Sequence, residues 1–428
     1  MNIFNDIVSK NKEYYIQDLK DLIRASKYGT NSVQDHLLEK FTNLKCINDD
    51  YNFDPKKIDL VEEFASDTKR GTKYERAIVA KCKGESDGKN IILFSHPDTE
   101  VYANDDGWHH DPFEPKISNN KLSGWGIADD LAGVAMMYHC LDLIKKSGIR
   151  LKGDIILAST PSKKHARGIA SVLNKGYFAD SAIYLHPAES GKGLKDIKAF
   201  TPGQIVFSIK FTGKKPDTNE PAHTAMCHLG HNPMIDALDV IEELRKYESE
   251  RIREIHHPLL EKHVGRSTNL LFSFFEYGNS EALDIVHETC KLGCALSIIP
   301  GEKLEDIKDK IQKRVDVVVD ENEWMKDNPP ELKWVSGVSS ASTDIKSNIY
   351  EITHKIFTNN NISPKINPLH TSSDIRNPIV QKGIPTLGFG PICGNLTMSN
   401  ETNEWLDLED YFKALCITAE IVTTYCNE

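Results

Sequence analysis

The chain has 428 residues, more than a single core usually serves, so two domains are expected. Hydrophobic residues make up 39% and charged residues 27%, a globular balance that excludes a disordered chain. The formal charge of -11 argues against a nucleic-acid footprint, and no apolar run approaches the length that spans a bilayer, so neither nucleic acid nor membrane is an expected partner.

Residues 1–12 mix polar and charged groups with isolated apolar ones and lack a signal peptide's apolar centre. Nine cysteines, an odd number without framework spacing, read as reduced thiols. Both points make a cytoplasmic protein the expectation. Cys290 and Cys294 lie four apart in an apolar stretch, where core packing is the better reading.

Over 13–26, Tyr15, Ile16, Leu19, Leu22 and Ile23 form one helical face. Strand-like runs follow at 77–82 and 90–94, an amphipathic helix at 131–145, and buried-strand candidates at 154–159 and 181–185. Helices between short apolar strands predict an α/β domain, a mainly parallel central sheet flanked by helices. The middle differs: 204–212 alternates apolar and polar residues, a helix follows over 233–246, strands over 270–275 and 292–299, and a helix over 303–314. That order predicts an inserted two-layer α+β domain. The expected division is 1–202 and 319–428 for the main domain and 203–318 for the insertion, with α/β character returning from about 332.

Three polar clusters directly follow strand-like runs, where open α/β sheets build their sites. They are Ser95-His96-Pro97-Asp98-Thr99, the run from Ser159 to His165, and His186-Pro187-Ala188-Glu189. A fourth loop, Gly124 to Asp130, opens the helix at Leu131. His96 with Asp98 suits a zinc-type site, in which one imidazole nitrogen binds metal and a carboxylate fixes the ring. Taken alone, His-x-Asp is more often a hydrogen-bonded turn. Asp129 and Asp130 could each cap the helix, which frees one of them for other work.

Taken together these segments resemble the zinc deacylase and exopeptidase family of acetylornithine deacetylase, succinyl-diaminopimelate desuccinylase, aminoacylase and glutamate carboxypeptidase. Residues 95–99 resemble its Gly-His-x-Asp-Thr signature, and Trp108, Asp111-Pro112-Phe113 and 122–133 its Trp…Pro-Phe…Gly-Arg-Gly…Asp stretch. Residues 229–237, 298–302, 372–376, 385–391 and Asn403-Glu404-Trp405 resemble further family segments in the same order. The resemblance implies a catalytic α/β domain with an inserted lid, often used for dimerisation. A homodimer is therefore expected.

Carried over residue by residue, the resemblance implies a first metal held by His96, Asp129 and His186, where His186 replaces an acidic residue. Asp98 would orient His96. The family's Glu-Glu pair aligns with Lys163-Lys164, and its late His with Asn400. The second metal's ligands and the general base are thus replaced. One zinc ion is expected, with manganese or cobalt as alternatives, and a Lys ammonium would stand where the second cation was. The base would then come from Glu189, His165 or a lysine depressed in pKa by its cationic neighbour. The resemblance further implies that His223 stabilises an oxyanion in a partner subunit's site, and that Asn269, Asp374 and Arg376 line the substrate, with Arg376 on a carboxylate. His370 has no counterpart and could compensate for the missing late His.

Two functions follow as expectations. The first is a metal-dependent hydrolase of an amide bond in an N-acyl amino acid, small peptide or carbamoyl compound. The second is a catalytically inactive member that binds an amino-acid-like ligand.

Overall fold

The computed structural model describes residues 3–65, 74–102, 107–163, 166–187, 191–220, 224–368, 374–394 and 404–428. The chain forms two compact units. One comprises Met1–Asp59, Lys69–Thr201 and Ser342–Glu428, the other Leu60–Thr68 and Pro202–Ala341.

The first unit is built on a six-stranded sheet in the order Ile47–Phe53, Glu75–Cys82, Ile155–Ser159, Ile91–Ser95, Ser181–Leu185, Thr386–Phe389. The last four strands run parallel to one another, and the first two pair antiparallel. Ile91–Ser95, Ile155–Ser159 and Ser181–Leu185 are buried at every position. Alternate side chains explain why. Ile91, Leu93, Ile155, Leu157, Ile183 and Leu185 join one core with Ile3–Ser26, Ala132–Ser147 and Leu408–Cys426. Ile92, Phe94, Ile156, Ala158, Ala182 and Tyr184 join a second core on the other face with Ile169, Val172 and Ile375. A sheet covered on both sides needs continuous apolar strands, which is the pattern the sequence carries.

The first helix starts at Ile3, earlier than its periodicity suggests, because Phe4 and Val8 are buried on the face that Tyr15 and Leu19 continue. Strand Ile47–Phe53 escapes sequence reading. It is an edge strand in which Phe53 alone is buried, so it lacks an apolar signature.

One close approach fixes how the helix Ala132–Ser147 meets the sheet. A Cβ on Gly133 would lie 1.9 Å from the carbonyl oxygen of Leu185 and 2.4 Å from Asp130 Oδ1. Backbone cannot yield as a flexible side chain does. Gly133→Ala should therefore destabilise the protein by about 3 kcal/mol or more. Chemical denaturation measures this, and a midpoint equal to wild type would show that the contact is slack.

The second unit has a five-stranded antiparallel sheet, ordered Leu270–Tyr277, Thr289–Ile298, Gly203–Thr212, Glu331–Val338, Glu63–Ala65. Ile205, Phe207, Ile209 and Phe211 pack with Ala237, Val240 and Leu244 from helix Pro233–Glu254 and with Ile307 and Ile311 from helix Leu304–Glu321. Cys290 and Cys294 are buried in this core as free thiols. The expected end of the insertion at 318 falls within helix Leu304–Glu321, and the unit continues to Ala341. The reason is strand Glu331–Val338, which pairs with Gly203–Thr212. Of its residues only Gly337 is fully buried, so its two-residue period is weak in the sequence.

The insertion leaves and re-enters the first unit at one place. Thr343 N–H donates to the Ala199 carbonyl at 2.8 Å, and the Thr343 hydroxyl to the Thr386 carbonyl at 2.5 Å.

Candidate active site

The carboxyl ends of three adjacent parallel strands converge. Ser95 is followed by His96 and Asp98, Ser159 by the loop to Lys163, and Leu185 by His186. Asp129 enters from the loop that precedes helix Ala132–Ser147. His96, Asp129 and His186 are all buried, at 3–5% exposure.

Asp129 is the centre. Its Oδ1 lies 3.0 Å from His96 Nε2 and 3.2 Å from His186 Nε2. Its Oδ2 accepts from the Lys163 ammonium. Zinc held tetrahedrally at 2.0–2.1 Å by nitrogen and oxygen places its ligand atoms about 3.3 Å apart. Oδ1 thus stands from each imidazole at about the spacing that one ion requires. Asp130 also reaches within 4.8 Å of both imidazoles. Its Oδ2 accepts from Ser95 Oγ and, at 3.3 Å, from His96 N, while its buried Oδ1 has no hydrogen-bond partner, so Asp130 offers a second carboxylate to the same ion.

The rings are held from behind. His96 Nδ1 faces two acceptors, the Asp98 carbonyl at 3.0 Å and the Asp98 carboxylate at 3.3 Å, so it carries the hydrogen and Nε2 faces Asp129. His186 Nδ1 lies 2.8 Å from the Pro187 carbonyl and 3.1 Å from the Lys198 ammonium. It cannot donate to the first and accept from the second at once. The shorter contact, to Pro187, favours the same orientation as in His96. Asp98 also accepts from the N–H groups of Ser162 and Lys163, both at 2.9 Å, and so ties the two loops together.

Burial opposes every charge here, and the partners decide the outcome. Burial alone would lower His96, but Asp129 and Asp98 more than offset it and hold the imidazole well above its usual value. Burial would raise Asp129, and the two histidines pull it well below. Lys163 would be lowered by burial, yet Asp129, with Glu100 and Glu404 nearby, raises it. An ammonium so held has no lone pair to offer. This differs from the expectation that a depressed lysine supplies the base: for Lys163, the neighbouring carboxylates outweigh any cationic neighbour.

Other expected residues are placed as follows. Asp374 is buried in the first unit, where burial raises its carboxyl against the opposing fields of His96 and His186. Arg376 is buried at the start of its helix and donates to Thr201 Oγ1 at 3.3 Å. Asn269 is exposed in the second unit, where its N–H donates to Ser297 Oγ at 2.7 Å. Lys164, His165, Glu189, His223, His370 and Asn400 lie outside the described residues.

Sequence reasoning missed three residues. Glu404 is fully buried, and its carboxylate accepts from Gly126 N at 3.0 Å and Ala128 N at 3.2 Å, the loop that delivers Asp129. Its place in Asn-Glu-Trp was the available signal. Lys198, 2% exposed, had none. Glu100 lies 3.6 Å from the Lys163 ammonium, and nothing in its surroundings marks it in the sequence.

The chain is similar to known proteins over most of its length. Over 382 residues the chain is 24% identical to N-formyl-4-amino-5-aminomethyl-2-methylpyrimidine deformylase of Bacillus subtilis, covering 82% of this chain and 83% of that protein. Carboxypeptidase G2 of a Pseudomonas species is 32% identical over 166 residues, 38% of this chain and 37% of that one. Among solved structures, aminopeptidase PepT from Bacillus cereus superimposes with a TM-score of 0.70 at 18% identity, covering 96% and 98% of the two chains. A Bacillus subtilis protein described as a dinuclear metal binding peptidase gives 0.61 at 12% identity, covering 96% and 99%. The model of peptidase family M20/M25/M40 matches residues 92–424, which span all the strand ends described above, and the chain belongs to that family.

Proposed function

We propose that this protein is a metal-dependent hydrolase of an amide bond in an N-acyl amino acid, a small peptide or a carbamoyl compound, working with one ion. His96, Asp129 and His186 would hold it, and zinc suits the donor set better than manganese, with cobalt close behind. Such an ion polarises a carbonyl and lowers the pKa of bound water. The observation that carries the reading is the split use of Asp129. Its Oδ1 faces both imidazoles, while its Oδ2 is taken by Lys163. A protein of the same fold is described as a dinuclear metal binding peptidase. Here an ammonium supplies one of the two charges.

In the same reading, Asp98 holds His96 in register, Arg376 receives a substrate carboxylate beside Asp374, and Asn269 and His223 act from the inserted unit of a homodimer. The protein would be cytoplasmic. No helix among the described residues is long and apolar enough to cross a membrane.

Metal analysis of protein purified without chelators tests the proposal. One equivalent of tightly bound zinc per chain is expected, together with hydrolysis of N-formyl or N-acyl amino acids, dipeptides or N-carbamoyl amino acids that chelators abolish. Two tightly bound equivalents would overturn the one-ion form. Binding of amino-acid-like ligands without turnover would favour an inactive member. That second reading draws on the same Lys163 contact, since Asp129 is already satisfied by protein donors.

A further inference from the structure

With Lys163 Nζ donating to Asp129 Oδ2, the site needs another group to take a proton from the attacking water. We infer that Glu100 is that general base, paired across 3.6 Å with the Lys163 ammonium. The inference rests on the hydrolase reading above and completes it.

Elimination among the described residues supports it. Asp129 is engaged by His96, His186 and Lys163. Asp98 holds His96 and two backbone N–H groups. Asp130, 0% exposed and shut off from water, holds Ser95 and His96 N through Oδ2, and Asp374 is buried and hydrogen-bonded to Ser162. Glu404 is fully buried against Gly126 and Ala128. The Glu100 carboxylate has Lys163 as its partner, and its side chain is 44% exposed, open to solvent. Its backbone is nevertheless pinned, because the Trp125 indole N–H donates to the Glu100 carbonyl at 3.3 Å. A held backbone with an exposed carboxylate suits a group that must accept a proton and then pass it to a leaving group.

The step balances without any further reactant. Water oxygen bonds to the amide carbon, one water proton passes to Glu100, and the carbonyl π pair moves onto oxygen. The Lys163 ammonium faces that developing negative charge. The C–N bond then breaks, its electron pair leaves on nitrogen, and Glu100 returns the proton to that nitrogen. The carboxylate is regenerated, and the products are an acid and an amine.

The test uses the full chain reconstituted with zinc and four probes: N-formyl-L-methionine, N-acetyl-L-methionine, L-alanyl-L-alanine and N-carbamoyl-L-alanine. Glu100→Gln should lower kcat by about 100-fold or more, with KM within about threefold. Glu100→Asp should recover part of the loss. Glu100 is the half-exposed partner and Lys163 keeps Asp129, so the melting temperature should stay close to that of wild type, and the zinc content should equal it because Glu100 is not among the proposed ligands. Wild-type kcat in Glu100→Gln would overturn the assignment and leave the hydrolase reading intact. Loss of zinc in that variant would also overturn it, because Glu100 would then support the metal. If wild type turns over none of the probes while retaining zinc, the hydrolase reading fails and takes this role with it.

Discussion

Asp129→Asn is expected to abolish tight metal binding and, with it, at least about a thousandfold of hydrolytic rate, the scale on which removal of a central electrostatic group acts. The carboxylate serves two sides at once, with Oδ1 toward His96 and His186 and Oδ2 toward Lys163. An amide has one acceptor oxygen and one donor NH2. If the oxygen faces the imidazoles, the NH2 meets an ammonium. If it faces Lys163, the NH2 occupies the place of a metal ligand. In either orientation a negative charge is lost beside Lys163, whose side chain is 9% exposed. Removing one partner of a buried ion pair costs about 3–5 kcal/mol. Unfolding and metal titration measured on the same sample read both effects. A variant that kept one zinc equivalent would show that Asp129 is not the centre.

The second large effect concerns Glu404. Burial pushes its carboxyl up to about 8 from 4.5, although the Gly126 and Ala128 N–H groups pull the other way. The folded state then holds this proton more tightly than the unfolded chain does. The resulting stability is fully present below pH 4.5, declines as pH rises, and is gone above about 8. At about 1.4 kcal/mol per pH unit, the decline across that window is on the order of 5 kcal/mol. Glu404→Gln cannot ionise and should remove this slope. Its amide NH2 would also face one of two donor N–H groups, an unsatisfied arrangement that costs about 1–3 kcal/mol. Urea denaturation at pH 5, 6.5 and 8 compares the two proteins. Parallel stability profiles would mean that Glu404 does not titrate in this range.

The family and the α/β core were legible because they depend on local signals. Ile91–Ser95 and Ser181–Leu185 are apolar throughout, and the polar residues that follow them are adjacent in sequence. His96 and Asp98 could be read for the same reason. What escaped depends on contacts between distant segments. Glu404 meets Gly126 from 278 positions away, and no local pattern announces that meeting. The charge of Lys163 is set by Asp129, Glu100 and Glu404, which come from three different loops. Strand Glu331–Val338 was lost to the second sheet because a half-exposed strand has a weak period.

The hydrogen bond between Thr343 and Ala199 bears on how such a chain can vary. It brings together two points separated in sequence by the inserted segment. Chain-closure entropy grows only with the logarithm of the length enclosed, so a longer or shorter insertion changes that term by a fraction of about 1 kcal/mol. The sheet that bears the candidate site is therefore thermodynamically insulated from the size of its insert. Inserts of different length can be exchanged at this junction while the strand ends keep their register.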